Sequence, residues 1–152
     1  MLSDYQKAQE ETTTKIVHQE ADVPTNCHQP WVMHLDIFAT NQTEMNEAVK
    51  PIFDKLVDVA NNCPSTGYIV ETHADARADV KYNKMLTVAR AHSIKDYLIS
   101  KGLAFEKIKT KPMGESQLVS TGTTLADHAI NRRVVILPAN ASTILTTAGL
   151  DE

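Results

Sequence analysis

Asp75, Asn83 and Arg90 are the residues whose types and spacing point to recognition chemistry. A helical run from about Asn83 to Lys101 carries Leu86, Ile94 and Leu98 at i, i+8 and i+12, joined by Tyr97, as an apolar stripe. The rung at i+4 is Arg90. At about 100° per residue, Asn83 falls only about 20° from Arg90 around the axis, two turns earlier. An arginine and an asparagine therefore stand on the face that should be buried. A buried arginine needs an anionic partner, because an unpaired charge there is strongly destabilising. The nearest candidate is upstream, in the polar loop Thr72-His-Ala-Asp75-Ala-Arg-Ala-Asp-Val80 that follows a strand-like run. In α/β architectures the mouth beyond the carboxyl end of a strand is a common ligand position. Asp75 and Arg90 placed there form a pair of opposite charges suited to a ligand with an ammonium and a carboxylate close together. Arginine would take the carboxylate bidentately and aspartate the ammonium. An ion pair that merely locks helix to sheet is the structural alternative.

The surrounding elements follow from periodicity. Trp31 to Phe38 alternates in period two, with Trp31, Met33, Leu35 and Ile37 on one face. Met45, Val49, Ile52, Phe53, Leu56, Val57 and Ala60 keep helical spacing, interrupted only by Pro51 near the start. Gly67 to Thr72 reads as a second strand, and the helix carrying Arg90 stops at Gly102. Ile108 to Lys111 is a weaker strand, and Arg132 to Leu137 is a strong one closed by Pro138. The order β-α-β-α-β-β predicts an α/β (α+β) sandwich: a small mixed sheet with helices packed on one side. Residues 1–30 read as a polar extension or tether, in which Ser3 with Gln6 would cap a short helix. Residues 31–138 form the domain, and 139–152 read as a C-terminal tail.

Length and composition bound the function. With 152 residues the chain is one domain, large enough for a core that needs no metal. Fifteen Lys+Arg against nineteen Asp+Glu give a net charge of −4, which argues against a nucleic-acid partner. No apolar run approaches a membrane span, and Asp4 and Lys7 stand where a signal peptide needs apolar residues. Either a cytoplasmic chain or a mature form lacking its leader fits. Cys27 and Cys63, with 35 residues between them, either bridge or remain two small apolar side chains. Sharper chemistry is missing: the sequence has no nucleophile elbow and no Walker loop. His73-x-Asp75 could suggest a metal, but His18, His28, His34, His92 and His128 are scattered without ligand spacing. His73 reads better as a hydrogen-bonded strand-end residue. Met33, Met45 and Met85 read as core filler. Arg132 and Arg133 should straddle the last strand, one paired with a core-side acid and the other solvated.

Three stretches carry a resemblance: Thr72-His-Ala-Asp75, Asn83-Lys-Met-Leu-Thr-Val-Ala-Arg-Ala91 and Asn131-Arg-Arg-Val134. In that order, with fifteen residues from Asp75 to Arg90, they resemble the OmpA C-terminal-like family, which includes the peptidoglycan-associated lipoprotein and the flagellar motor anchors. Gly114-Glu115 is similar to the family's Gly-x-Gly-Glu, and the likeness covers about Trp31 to Pro138. The resemblance implies the same β-α-β-α-β-β layer and a non-catalytic domain that binds cell-wall peptide through meso-diaminopimelate. Asp75 and Arg90 would hold the ligand with Asn83 in support. His73, Ala74 and Thr87 would complete the binding set, and Asn131, Arg132 and Arg133 would brace it. Diaminopimelate carries the adjacent ammonium and carboxylate that the charge argument asks for, whereas lysine lacks that carboxylate.

The sequence departs from the family at Thr72 for glycine, Ala74 for threonine and Thr87 for serine, and in Ala76-Arg77-Ala78 after the aspartate. The resemblance further implies a periplasmic, outer-membrane-associated protein without cofactor. Its partners would be the stem peptide and other envelope-complex proteins, with any lipid anchor upstream in a full-length form. A second reading is a structural subunit of an envelope-spanning secretion or motor complex whose pocket is degenerate.

Overall fold

The computed structural model describes residues 26–34 and 37–147. The expectations for the N-terminal extension before residue 26, for Leu35 and for the last five residues lie outside them. The described strands and α-helices in chain order are β1 (Trp31–Met33), α1 (Lys50–Asn61), β2 (Thr66–His73), α2 (Val80–Ser100), β3 (Ile108–Gly114), α3 (Leu125–Asn131), β4 (Arg133–Asn140) and α4 (Ala141–Thr147). The four strands form one mixed sheet in the order β1-β4-β2-β3. β2 and β3 are parallel, joined by the crossover through α2, and the other two pairings are antiparallel.

The two long helices pack on one face of this sheet. Trp31, Met33, Tyr68, Val70, Val134 and Ile136 point from the strands into a core shared with Phe53, Leu56 and Val57 of α1 and Ile94 and Leu98 of α2. The rings of Trp31 and Phe53 meet edge to face at 5.3 Å. Pro51 sits in the first turn of α1, where its missing N–H removes no helical bond, so it starts the helix instead of interrupting it. α2 begins at Val80, three residues before the expected start at Asn83. Asp79 caps it by accepting from the backbone N–H groups of Lys81 and Tyr82. At the other end Gly102 adopts φ +109°, the left-handed turn that ends the helix.

Five details differ from the sequence reading. The first strand is only three residues long, although Ile37 beyond it is still buried. Met85 is 68% exposed and fills no core. A short helix, α3, precedes β4, closed at its start by a reciprocal pair: Thr124 Oγ1 accepts from the Asp127 N–H, and Asp127 accepts from the Thr124 N–H. β4 runs through Pro138 to Asn140. β1 pairs only with Val134–Ile136, so on that side no ladder exists for the proline to interrupt. Finally, the stretch expected to be a tail from residue 139 holds the end of β4 and then α4, whose Ile144 is buried.

Cys27 and Cys63 are bridged, with their Cα atoms 5.6 Å apart. This resolves the alternative left open by their spacing.

Candidate ligand-binding site

The carboxyl end of β2 opens into a cavity of about 1020 Å³ between the Asp75 loop, the N-terminal half of α2, α3 and the loop after β1. Asp75, Asn83, Arg90, His73 and Ala74 all line it. Ile37, Phe38 and Leu86 give it apolar wall. The missing rung of the α2 stripe is therefore the point where the helix turns from core to cavity.

Asn83 holds the loop to the helix. Its Nδ2 donates to the Asp75 carbonyl at 2.9 Å, to the Ala78 carbonyl at 3.3 Å and to Glu115 Oε1 at 3.1 Å. Ala74 donates its N–H to the Gly114 carbonyl at 2.8 Å, so β3 fixes the start of the loop. Thr87 is buried but does not line the cavity. Its hydroxyl accepts from the Gly114 N–H at 3.0 Å and donates to the Lys84 carbonyl, bracing the floor. Thr72, where the family pattern has glycine, donates its hydroxyl to the Thr87 carbonyl.

The ion pairing is not the one expected. Asp75 Oδ1 accepts from the Arg77 backbone N–H at 2.9 Å and from Arg77 Nε at 3.1 Å. Its Oδ2 accepts from Arg77 Nη2 at 2.8 Å and from Arg132 Nη1 at 3.2 Å. Arg90 instead donates from Nε to the Gln42 carbonyl at 2.9 Å and from Nη2 to the Ala39 carbonyl at 3.2 Å. Its guanidinium also lies over the Phe38 ring, 4.9 Å from the centroid. Two arginines thus take the role expected of one, and Arg90 ties α2 to the loop after β1. Burial by itself would raise the Asp75 pKa. The hydrogen bonds from the Arg77 side chain and backbone, and from Arg132, override it and hold the carboxyl at about 2.

Arg132 does pair with an acid, as expected of one of the two arginines at the start of β4. Arg133 is not solvated: it is half-buried and donates to the Asn131 and Gln117 carbonyls at 3.1 and 3.0 Å. Asn131 is buried and supports the loop before α3, accepting from the Val119 and Ser120 N–H groups and donating to the Ser120 carbonyl. His73 ends β2 with Nε2 3.1 Å from Glu71 Oε1. Burial, then the charge of Arg133, lower its pKa against the opposing pull of Glu71. Among the described residues no group of three His, Cys, Asp or Glu side chains could hold a metal ion.

Sequence reasoning missed Arg77, Glu115 and Tyr82, whose hydroxyl donates to Asn41 Oδ1 at 2.9 Å on the cavity rim. Glu115 left a signal in the Gly114-Glu115 stretch, whereas Arg77 and Tyr82 broke no pattern.

Arg77, Arg90, Arg132 and Arg133 thus share the described cavity wall with one carboxylate, Asp75. This arrangement is a charged cleft at the carboxyl end of a sheet strand. Residues 37–132 match the OmpA family, and the chain belongs to it. It is 28% identical over 104 residues to the peptidoglycan-associated lipoprotein of Rhizobium meliloti (strain 1021), covering 68% of this chain and 59% of the relative. It is 32% identical over 100 residues to the peptidoglycan-associated lipoprotein of Buchnera aphidicola subsp. Baizongia pistaciae (strain Bp), covering 66% and 58%. The chain therefore spans under two thirds of the length of these relatives. The crystal structure of the peptidoglycan-associated lipoprotein from Burkholderia pseudomallei shares the fold, with a TM-score of 0.63 at 19% identity, covering 67% of this chain and 86% of that one.

Proposed function

We propose that this domain binds peptidoglycan without catalysis, through the meso-diaminopimelate of the stem peptide, and anchors an envelope protein or complex to the wall. The observation that carries this reading is that Asp75, Asn83 and Arg90, fifteen residues apart end to end, line one cavity. Asp75 is the receptor for the ligand's ammonium and Arg90 for the adjacent carboxylate, with Asn83 holding the loop that presents Asp75. His73 and Ala74 shape the wall, while Thr87 acts from beneath by fixing Gly114. In this reading the wall-binding unit runs from the Cys27 bridge through α4, and the chain before it is the tether. The Cys27–Cys63 bridge supports a periplasmic setting, because disulfides persist in oxidising compartments. Association with the outer membrane belongs to the same proposal, by analogy with the lipoprotein relatives.

A second reading, a structural subunit of a secretion or motor complex with a weak pocket, is favoured by the four hydrogen bonds Asp75 already accepts. One experiment separates the two. The purified domain is sedimented with diaminopimelate-type sacculi beside Asp75→Ala and Arg90→Ala, with lysine-type sacculi as the specificity control. Wild-type pelleting that both variants lose, and that lysine-type sacculi do not support, establishes the wall anchor. A folded wild type that stays in the supernatant leaves the structural subunit.

A further inference from the structure

The Asp75 carboxylate is 9% exposed and accepts two hydrogen bonds on each oxygen, so its four lone-pair sites are occupied. An incoming ammonium must replace one of these donors. The Arg77 backbone N–H is fixed by the turn, and Arg132 is anchored at the start of β4. The Arg77 guanidinium differs from both. Its side chain is 48% exposed and stands between two alanines, and among the described residues its side-chain hydrogen bonds go to Asp75. It occupies one site on each carboxylate oxygen, the geometry a ligand cation would use.

We propose that Arg77 is a built-in competitor for the cation subsite of the cavity, setting ligand affinity and selecting for ligands whose ammonium can displace it. This rests on the wall-binding reading and adds a regulating residue to it. In the unliganded protein Arg77 closes the subsite. On binding, its guanidinium swings to solvent and the ligand ammonium takes its place on Asp75. Because one ion pair is exchanged for another, binding changes the number of ion pairs on Asp75 little. Half-exposed ion pairs are weak, so displacement is cheap, and the apparent affinity falls only by the fraction of time the subsite is closed.

The test is calorimetric titration of the full domain with two soluble probes. One is a disaccharide tripeptide ending in meso-diaminopimelate, and the other is its counterpart lacking the side-chain amine. Wild type, Arg77→Ala, Arg77→Gln and Asp75→Ala are compared. Both Arg77 variants should bind the amine probe about 2- to 5-fold tighter than wild type, with no change toward the amine-free probe. Their affinity should also weaken more steeply with added salt, since no internal cation is released. In labelled wild type the Arg77 Nε–H resonance should shift with the amine probe only. Binding by the Arg77 variants with a silent wild type also supports the competitor. Equal or weaker binding of the amine probe by both variants, while wild type binds and Asp75→Ala does not, overturns the competitor and leaves the wall-binding reading intact. No binding by any protein, Arg77→Ala included, overturns both.

Discussion

The hydroxyl of Thr72 donates to the main-chain carbonyl of Thr87 at 2.7 Å, in a buried position beneath the cavity. With the bond from the Gly114 N–H to the Thr87 hydroxyl, it laces β2, α2 and β3 together. The threonine at a position where the family pattern has glycine is thus a strut. Thr72→Val, which keeps the shape and removes the donor, should cost about 1 kcal/mol in urea denaturation. Thr87→Val strands the Gly114 N–H and should cost about 1–3 kcal/mol. Sacculus binding should survive the first change.

Asp75 links stability to acid. Its folded pKa of about 2 lies below the ordinary 3.8, so the folded state favours the ionised form. The stabilisation is fully present above the unfolded value and is lost as pH falls through the folded one. After allowing for solvent around the exposed Arg77, it amounts to about 1–2 kcal/mol at neutral pH. Denaturation of wild type and Asp75→Asn between pH 7 and pH 2 should show a gap that narrows below about pH 4. A gap that stays constant would show that the carboxylate's charge contributes nothing.

Arg90→Ala should separate recognition from folding. Among the contacts within the described residues, the variant loses two hydrogen bonds to the loop after β1 and the contact with the Phe38 ring, which together contribute about 1–2 kcal/mol for a half-buried side chain. Asp75 keeps Arg77 and Arg132, so the larger cost of stranding a buried carboxylate does not arise. The melting temperature should therefore fall modestly while pelleting with sacculi is lost.

Gly67 is a site of close approach. A Cβ there would lie 2.6 Å from Ile144 Cγ1 and 3.1 Å from the Lys107 carbonyl oxygen. Gly67→Ala should cost about 1–3 kcal/mol through overpacking. Adding Ile144→Ala to Gly67→Ala should recover part of that loss in a double-mutant cycle, since the two sites touch. Additive losses would mean that α4 does not pack on β2.

Reducing the Cys27–Cys63 bridge releases a loop of 35 intervening residues. On the chain-entropy model the loss is about 3–4 kcal/mol. A melting curve with and without reductant measures it, and Cys27→Ser should reproduce the reduced curve.

The elements that were legible in the sequence are those with a long apolar period. Phe53, Leu56, Val57 and Ala60 mark α1, and Ile94 and Leu98 mark α2, because each stripe must face one sheet. α3 and α4 escaped because seven residues give too few turns for a stripe, and Thr124–Asp127 capping lies within a polar run. Pro138 read as a stop because the shortness of β1, which is what lets β4 run on, is a tertiary fact. At the site, Arg90 stood out as a charge on an apolar face. Arg77 did not, because a loop arginine breaks no pattern and its partner is chosen by the turn.

The bridge at Cys27 also sets where mechanical load enters the domain. β1 is a three-residue strand at the sheet edge, held by one neighbour, and a pull from its N-terminal side would peel it from β4 one rung at a time. Cys27 lies four residues before Trp31 and is tied covalently to Cys63, between α1 and β2. Force arriving along the preceding chain is therefore passed across a covalent link to the junction of α1 with β2, and the edge strand is bypassed.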